Sequence, residues 1–181
     1  PRVAGSIPAL GTTSTKGREP EGSRFFSTPA LPGEVSMDED NAILTIESAQ
    51  WEATDTQPEA VRLTTEGRMV RIGDAWVLMY LEQAESGMGG TSTTLRVADD
   101  GTVALVRQGE TTMQMQFSQG RQHLTSMSTP FGVINVGLST HKVSSKLSPR
   151  GGKLDLSYTI DFGNHHHVNT RIHIDVRARE A

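Results

Sequence analysis

Residues 154–178 read LDLSYTIDFGNHHHVNTRIHIDVRA, and this stretch decides the fold because apolar and polar residues alternate on both sides of a short polar turn. Side chains along a β-strand point to opposite faces in turn, so each half of the stretch predicts a strand with one apolar and one polar face. The pattern predicts an antiparallel ribbon that covers one side of a hydrophobic core. The residues expected on its apolar face are Leu154, Leu156, Tyr158, Ile160, Phe162, Val168, Thr170, Ile172, Ile174 and Val176.

Strand-like runs recur along the chain at short spacing from Ala42 onward, without a helical repeat. Turns such as Gly73-Asp74 and Asp99-Asp100-Gly101 separate them and favour hairpins. We therefore predict an all-β fold, a single closed or nearly closed up-and-down antiparallel β-barrel of about eight to ten strands, in which closure removes exposed sheet edges. The remaining predicted strands cover residues 42–51, 61–72, 75–83, 91–98, 102–108, 110–117, 121–128 and 133–147.

The N-terminal residues differ from the rest of the chain. Five of the eight prolines fall within residues 1–36, and no periodicity runs through them. A segment of this composition buries too little apolar area to offset about 1–2 kcal/mol of backbone entropy per residue. We predict a disordered tail at 1–40 ahead of a barrel domain at 41–181. Met37 is a candidate natural start, and a flexible linker without a role of its own is the alternative.

The composition limits the partners of this protein. The chain has 181 residues and a formal net charge of −4, and residues 37–181 carry 13 Lys and Arg against 18 Asp and Glu. Because this balance provides no basic field, we do not expect nucleic-acid binding. The sequence also has no cysteine, no apolar run of membrane-spanning length and no apolar block typical of a secretory signal. We therefore predict a cytoplasmic protein that does not associate with membranes.

Three short motifs give the chain a resemblance to a known bacterial group. They are Leu63-Thr64-Thr65-Glu66-Gly67, Arg107-Gln108-Gly109-Glu110 and Thr129-Pro130-Phe131-Gly132, in that order. Through them, residues 41–179 resemble the YwiB-like family, a bacterial domain of unknown function with a calycin-type, lipocalin-like β-barrel. The resemblance implies this fold and no established activity, so it assigns no catalytic residue.

The turn of the final ribbon carries His165-His166-His167, which invites comparison with metal sites. Alternation along the chain lets only two of the three converge, whereas zinc or copper needs three or four ligands. We therefore predict no metal and no other cofactor. The sequence also has no nucleophile elbow and no complete phosphate-binding loop, so we expect a protein that is not an enzyme.

Glu66 and Arg107 are charges of opposite sign in otherwise neutral strands. Two interpretations stay open at this point. In the first, the two residues are structural and either form an ion pair that braces the barrel or stay separate and solvated. In the second, they form a paired anchor for a ligand.

The aromatic residues lead to the binding hypothesis. Barrels of about eight strands or slightly more either enclose one small ligand or are filled by side chains. We predict a non-enzymatic binding module for a small, partly apolar ligand, with Arg107 as the polar anchor. One alternative is a solid barrel that serves protein interaction or homodimerisation, and a second is an enzyme of unrecognised type that uses Glu66, Arg107 or a histidine. The predicted lining comprises Trp76, Tyr80, Phe117 and Tyr158.

Overall fold

The structure, a computed structural model, describes residues 40–84 and 89–179. Within these residues there are ten β-strands and no α-helix, and hence no helix long and apolar enough to cross a membrane. The predicted tail and the candidate start at Met37 lie outside the described residues, apart from Asp40. The strands are β1 (Ala42–Trp51), β2 (Glu59–Ile72), β3 (Ala75–Leu81), β4 (Ser92–Ala98), β5 (Val103–Gln108), β6 (Thr112–Phe117), β7 (Gln122–Thr129), β8 (Gly132–Ser148), β9 (Gly151–Asp161) and β10 (His167–Ala178).

The ten strands form one closed barrel in which each strand pairs antiparallel with its neighbours in sequence. Pairing of β1 with β10 completes the ring, and its register runs from Ala42 opposite Ala178 to Trp51 opposite Asn169. Every other pairing joins two strands that are consecutive in sequence, so each of these connections can be a hairpin. The prediction of an all-β, up-and-down antiparallel barrel is confirmed.

The alternation in β9 and β10 separates an interior face from an exterior one. Tyr158 is 3% and Ile160 is 8% exposed, whereas Lys153 and Asp161 on the other face are exposed. Each fully buried aliphatic side chain stabilises the fold by roughly 1.5–3 kcal/mol. The same alternation in the other strands fills the interior, and the most deeply buried side chains include Leu44, Leu78, Leu95, Leu105, Phe117, Leu138, Leu154, Leu156 and Ile174.

Strand β3 is apolar on both faces. Leu78 and Tyr80 point into the barrel and are 0% and 7% exposed. On the outer face Val77 is 2% exposed, whereas Leu81 is 58% exposed. The outer apolar face of β3 is therefore only partly covered.

The barrel has two distinct ends, which we call the mouth and the base. Because successive strands run in opposite directions, odd-numbered strands finish and even-numbered strands begin at the mouth. At the base, Arg71 makes a bidentate ion pair with Asp99 and lies 5.5 Å from the centre of the Trp76 ring. The hydrogen bond from Arg71 lowers the pKa of Asp99. These contacts join the base ends of β2, β3 and β4.

The joint between β6 and β7 is the shortest in the ring. Its register holds two residue pairs, Thr112 with Ser128 and Met113 with Met127. Farther along the strands, the hydroxyl of Thr125 donates a hydrogen bond to a backbone carbonyl of β6. The wall is therefore least continuous on this side of the barrel.

Gly67 marks a close approach of backbones inside β2. It is buried and lies opposite Ala42 on β1 and Tyr80 on β3. A Cβ atom at this position would lie 2.5 Å from the carbonyl oxygen of Met79 and 2.7 Å from a methyl carbon of Leu44. The sequence indicates a bulge, a bend or a close approach at this glycine, and the structure shows the last of these.

Gly67→Ala should lower the free energy of unfolding by about 1–3 kcal/mol, since the added methyl group overpacks a site bounded by backbone. Gly137→Ala is the matched control, because a Cβ there would lie 3.4 Å from Asp161 in ordinary contact. Urea denaturation of both variants checks this expectation. Equal midpoints for the two variants would contradict it.

Candidate functional site

A cavity of about 160 Å³ lies inside the barrel toward the mouth. None of its lining residues belongs to β6, β7 or β8, so it lies away from the short joint. Its aliphatic wall is made of inward-facing positions of the alternating pattern, so the strand periodicity itself produces an apolar surface. These residues are Ile46, Val61, Leu63, Leu95, Leu105, Leu156, Ile172 and Ile174.

Polar side chains form the rim of the cavity at the mouth. Ser48 and Gln50 lie near the end of β1, and Glu59 begins β2. Gln50 and Glu59 are exposed. The rim therefore connects the cavity with solvent.

A pair of opposite charges lies in the cavity wall. The side chains of Glu82 and Arg107 are only 5% and 17% exposed, and Arg107 Nη2 lies 3.6 Å from Glu82 Oε1. This distance corresponds to an ion pair but is too long for a hydrogen bond. The fully buried Thr93 hydroxyl donates a 2.9 Å hydrogen bond to the same Oε1 atom. Thr93 therefore helps to hold the carboxylate in place.

Arg107 retains hydrogen-bonding capacity that Glu82 does not use. Its Nε atom is buried and has no hydrogen-bond partner among the described residues. Buried donors of this kind are rare in proteins, and a charged one is especially costly to leave unpaired. The unpaired donor lies on a residue that lines the cavity.

Two tyrosines complete the polar part of the wall. Burial raises the pKa of Tyr80, and the nearby negative charge of Glu82 raises it further. Burial is also the main cause that raises the pKa of Tyr158. Both residues therefore line the cavity as neutral hydroxyl groups at physiological pH.

The structure places three of the five predicted site residues in the cavity wall: Tyr80, Arg107 and Tyr158. Trp76 and Phe117 are not part of its lining. Trp76 lies at the base under Arg71, and the Phe117 ring packs 4.8 Å from that of Tyr158. Alternation predicts the face on which a residue lies, but its height in the barrel depends on strand ends and stagger.

Glu82 is the site residue that the sequence analysis did not single out. It lies two residues after Tyr80 and therefore continues the inward-facing series Trp76, Leu78 and Tyr80, with a carboxylate in place of an apolar side chain. Arg107 likewise follows Val103 and Leu105 on the inward face of β5. A charged residue that continues an apolar series was the signal that could have identified both partners.

Glu66 and Arg107 do not pair with each other. Glu66 lies on the exposed face of β2 and forms an ion pair with Arg179. Arg107 faces inward and pairs with Glu82. The wall of the barrel separates the two, so the interpretations that join them, as a brace or as an anchor, are wrong.

The histidine turn lies at the mouth but outside the cavity lining. His166 lies 3.7 Å from Glu52, and His167 lies 3.6 Å from Asp161. Across residues 40–84 and 89–179, no group of three or more His, Cys, Asp or Glu side chains is placed to hold a metal ion. The turn offers separate histidine–carboxylate contacts.

The protein is therefore a closed, up-and-down β-barrel with a cavity toward one end that is lined by both aliphatic and polar side chains. Residues 44–174 match the domain of unknown function DUF1934, and the chain belongs to this family. The crystal structure of the ywiB protein from Bacillus subtilis has a similar fold, with a TM-score of 0.67 and 20% sequence identity over 78% of this chain and 93% of that chain. No curated protein matches the sequence. The resemblance seen in the sequence motifs is confirmed.

The two tyrosines predict how stability depends on pH. Burial raises the pKa of both in the folded protein, whereas tyrosines of an unfolded chain ionise near pH 10. Their contribution to the free energy of unfolding is therefore fully present below about pH 10. It is lost as the pH rises further, by up to about 1.4 kcal/mol per pH unit for each tyrosine.

Urea midpoints measured from neutral pH upward should be flat to about pH 10 and then fall, with a smaller fall for Tyr80→Phe. Because the chain has only two tyrosines, the ultraviolet absorbance of tyrosinate should appear only together with unfolding. Tyrosinate absorbance that rises near pH 10 in the folded protein would contradict the raised pKa values.

Proposed function

We propose that this protein is a non-enzymatic binding module that holds a small, partly apolar ligand in the barrel cavity. The observation that carries the proposal is the Glu82–Arg107 pair, which lies largely buried in the cavity wall beside eight aliphatic side chains. Removing two charges from water costs several kcal/mol per ion before their attraction is counted, so a charged pair is not needed to stabilise a core. A ligand with an apolar body and one polar end would complement both parts of this wall.

The cavity volume supports a ligand of limited size. An engineered cavity of about 150 Å³ in another protein holds benzene, and the cavity in this barrel measures about 160 Å³. A molecule with roughly one six-membered ring would fit inside. Any larger ligand would extend past the polar rim at Ser48 and Gln50.

The chemistry of the wall favours binding over catalysis. The raised pKa values of Tyr80 and Tyr158 keep both hydroxyls neutral, so neither serves as a base. Glu82 is engaged by Thr93 and Arg107. We also propose that the module acts in the bacterial cytoplasm. A chain without cysteine forms no disulfides and is compatible with a reducing compartment, and a Bacillus subtilis protein has a similar fold.

A substitution in the cavity wall tests the binding proposal. Val61→Trp should fill the mouth side of the cavity and weaken the binding of benzyl alcohol at least about tenfold, because Val61 faces inward and lines it. Ala60→Trp is the matched control, since Ala60 is the exposed neighbour on the opposite face. An NMR titration measures both affinities, and native mass spectrometry of freshly purified protein shows any retained ligand. Binding that survives Val61→Trp unchanged would argue against a ligand in the cavity.

A second candidate function, homodimerisation through the β7–β8 hairpin, is favoured by a separate observation. On this hairpin Leu124 is 90%, Phe131 is 100% and Val133 is 69% exposed. Large apolar side chains that are exposed together commonly mark an interface. In this alternative the barrel serves as a scaffold for the contact between two copies.

Sedimentation across a range of protein concentrations tests this alternative. If the hairpin joins two copies, Leu124→Ser combined with Phe131→Ser should shift a dimer to monomer. Leu81→Ser is the control, because Leu81 is an exposed apolar residue on a different strand. A wild-type protein that stays monomeric at high concentration would exclude the homodimer.

A further inference from the structure

The polar groups of the cavity wall define the chemistry of the ligand's polar end. One of them is the guanidinium of Arg107, a residue that lines the cavity and whose side chain is 17% exposed. A guanidinium has five N–H donors and no acceptor. A ligand atom that meets this guanidinium must therefore be a hydrogen-bond acceptor.

Glu82 provides an acceptor beside this donor. Thr93 and Arg107 both approach Oε1, at 2.9 Å and 3.6 Å. The hydrogen bond from Thr93 is made to Oε1. A carboxylate accepts hydrogen bonds on both oxygens, so Oε2 can receive one from a ligand donor.

The charge balance of the pair argues against an ionic ligand. The 3.6 Å contact already sets the positive charge of Arg107 against the negative charge of Glu82. An anion that approached Arg107 would be repelled by the buried carboxylate, and a cation that approached Glu82 would be repelled by the guanidinium. These repulsions are stronger here than in water, because both side chains are largely buried.

We infer that the cavity recognises a small neutral carboxamide, a primary amide or lactam whose carbonyl oxygen accepts from the Arg107 guanidinium and whose N–H group donates to Glu82. This inference rests on the proposed function, since it names the polar end of the ligand in the same cavity. An amide carries an acceptor and a donor side by side without net charge. The apolar remainder of the molecule lies along the aliphatic wall formed by residues such as Leu105 and Ile172.

Four probes of nearly equal size and shape separate the chemical alternatives. Benzamide has the acceptor and the donor, acetophenone replaces the donor with a methyl group, benzoate is the anion, and benzamidine is the cation. Affinities for the full chain are measured by NMR titration. We expect benzamide to bind at least about tenfold more tightly than each of the others, because an analogue that lacks one partner leaves a buried polar group unpaired.

Two variants test whether the charged pair sets this preference. Glu82→Gln removes the negative charge with little change in shape, so Arg107 is no longer neutralised and the preference should shift from benzamide to benzoate by at least about tenfold. Glu66→Gln is the matched control, because it removes an exposed carboxylate from the outer face of β2, outside the cavity and away from the pair. It should leave the order of the four probes unchanged.

The outcomes distinguish failure of this inference from failure of the proposed function. Tighter binding of benzoate or benzamidine to the wild-type chain, or equal binding of acetophenone and benzamide, would overturn the amide assignment and leave a ligand cavity in place. Absence of binding by all four probes would overturn both. If Glu82→Gln does not fold, the order of the four probe affinities on the wild-type chain tests the amide assignment by itself.

Discussion

Closure of the sheet by pairing of β1 with β10 is the constraint on which the rest of the structure depends. These strands are the first and the last of the barrel, and their register holds Ala42 against Ala178 and Trp51 against Asn169. An open sheet of ten strands would expose two edges and leave its apolar face without cover. Closure turns that face into an interior, and the same step creates a cavity near the mouth.

The buried Glu82–Arg107 pair shows how the barrel departs from a simple hydrophobic core. Well-packed apolar residues often replace a buried ion pair without loss of stability, so the pair is a weak explanation of stability. It is also incompletely satisfied, since Arg107 Nε has no partner among the described residues. Polar groups that a core does not need, placed in the wall of a cavity, are typical of a binding site. Thr93 supports this view, because its hydroxyl orients the carboxylate.

Much of the fold could be predicted from the sequence, because strand periodicity is a local property. β1 has the predicted bounds, and the two strands of the final ribbon bury the predicted face. The site was less predictable. Tyr80, Arg107 and Tyr158 line the cavity, but Trp76 shares its face with Tyr80 and lies at the opposite end of the barrel. Periodicity carries no information about height along the barrel axis, which follows from the stagger of the strands.

The sequence by itself determined the strands, the faces that they bury and the meander order, since each depends on alternation and on turns between neighbouring residues. Only the tertiary structure decided which charges meet. Glu82 and Arg107 lie 25 positions apart in sequence and are not directly paired in the strand register, yet they share the cavity. Glu66 pairs with Arg179 from the far end of the chain. The Glu66–Arg179 contact depends on closure, since β1 pairs with both β2 and β10, whereas Glu82 and Arg107 meet across β4. In both cases the strand register brings together side chains whose separation along the chain carries no signal.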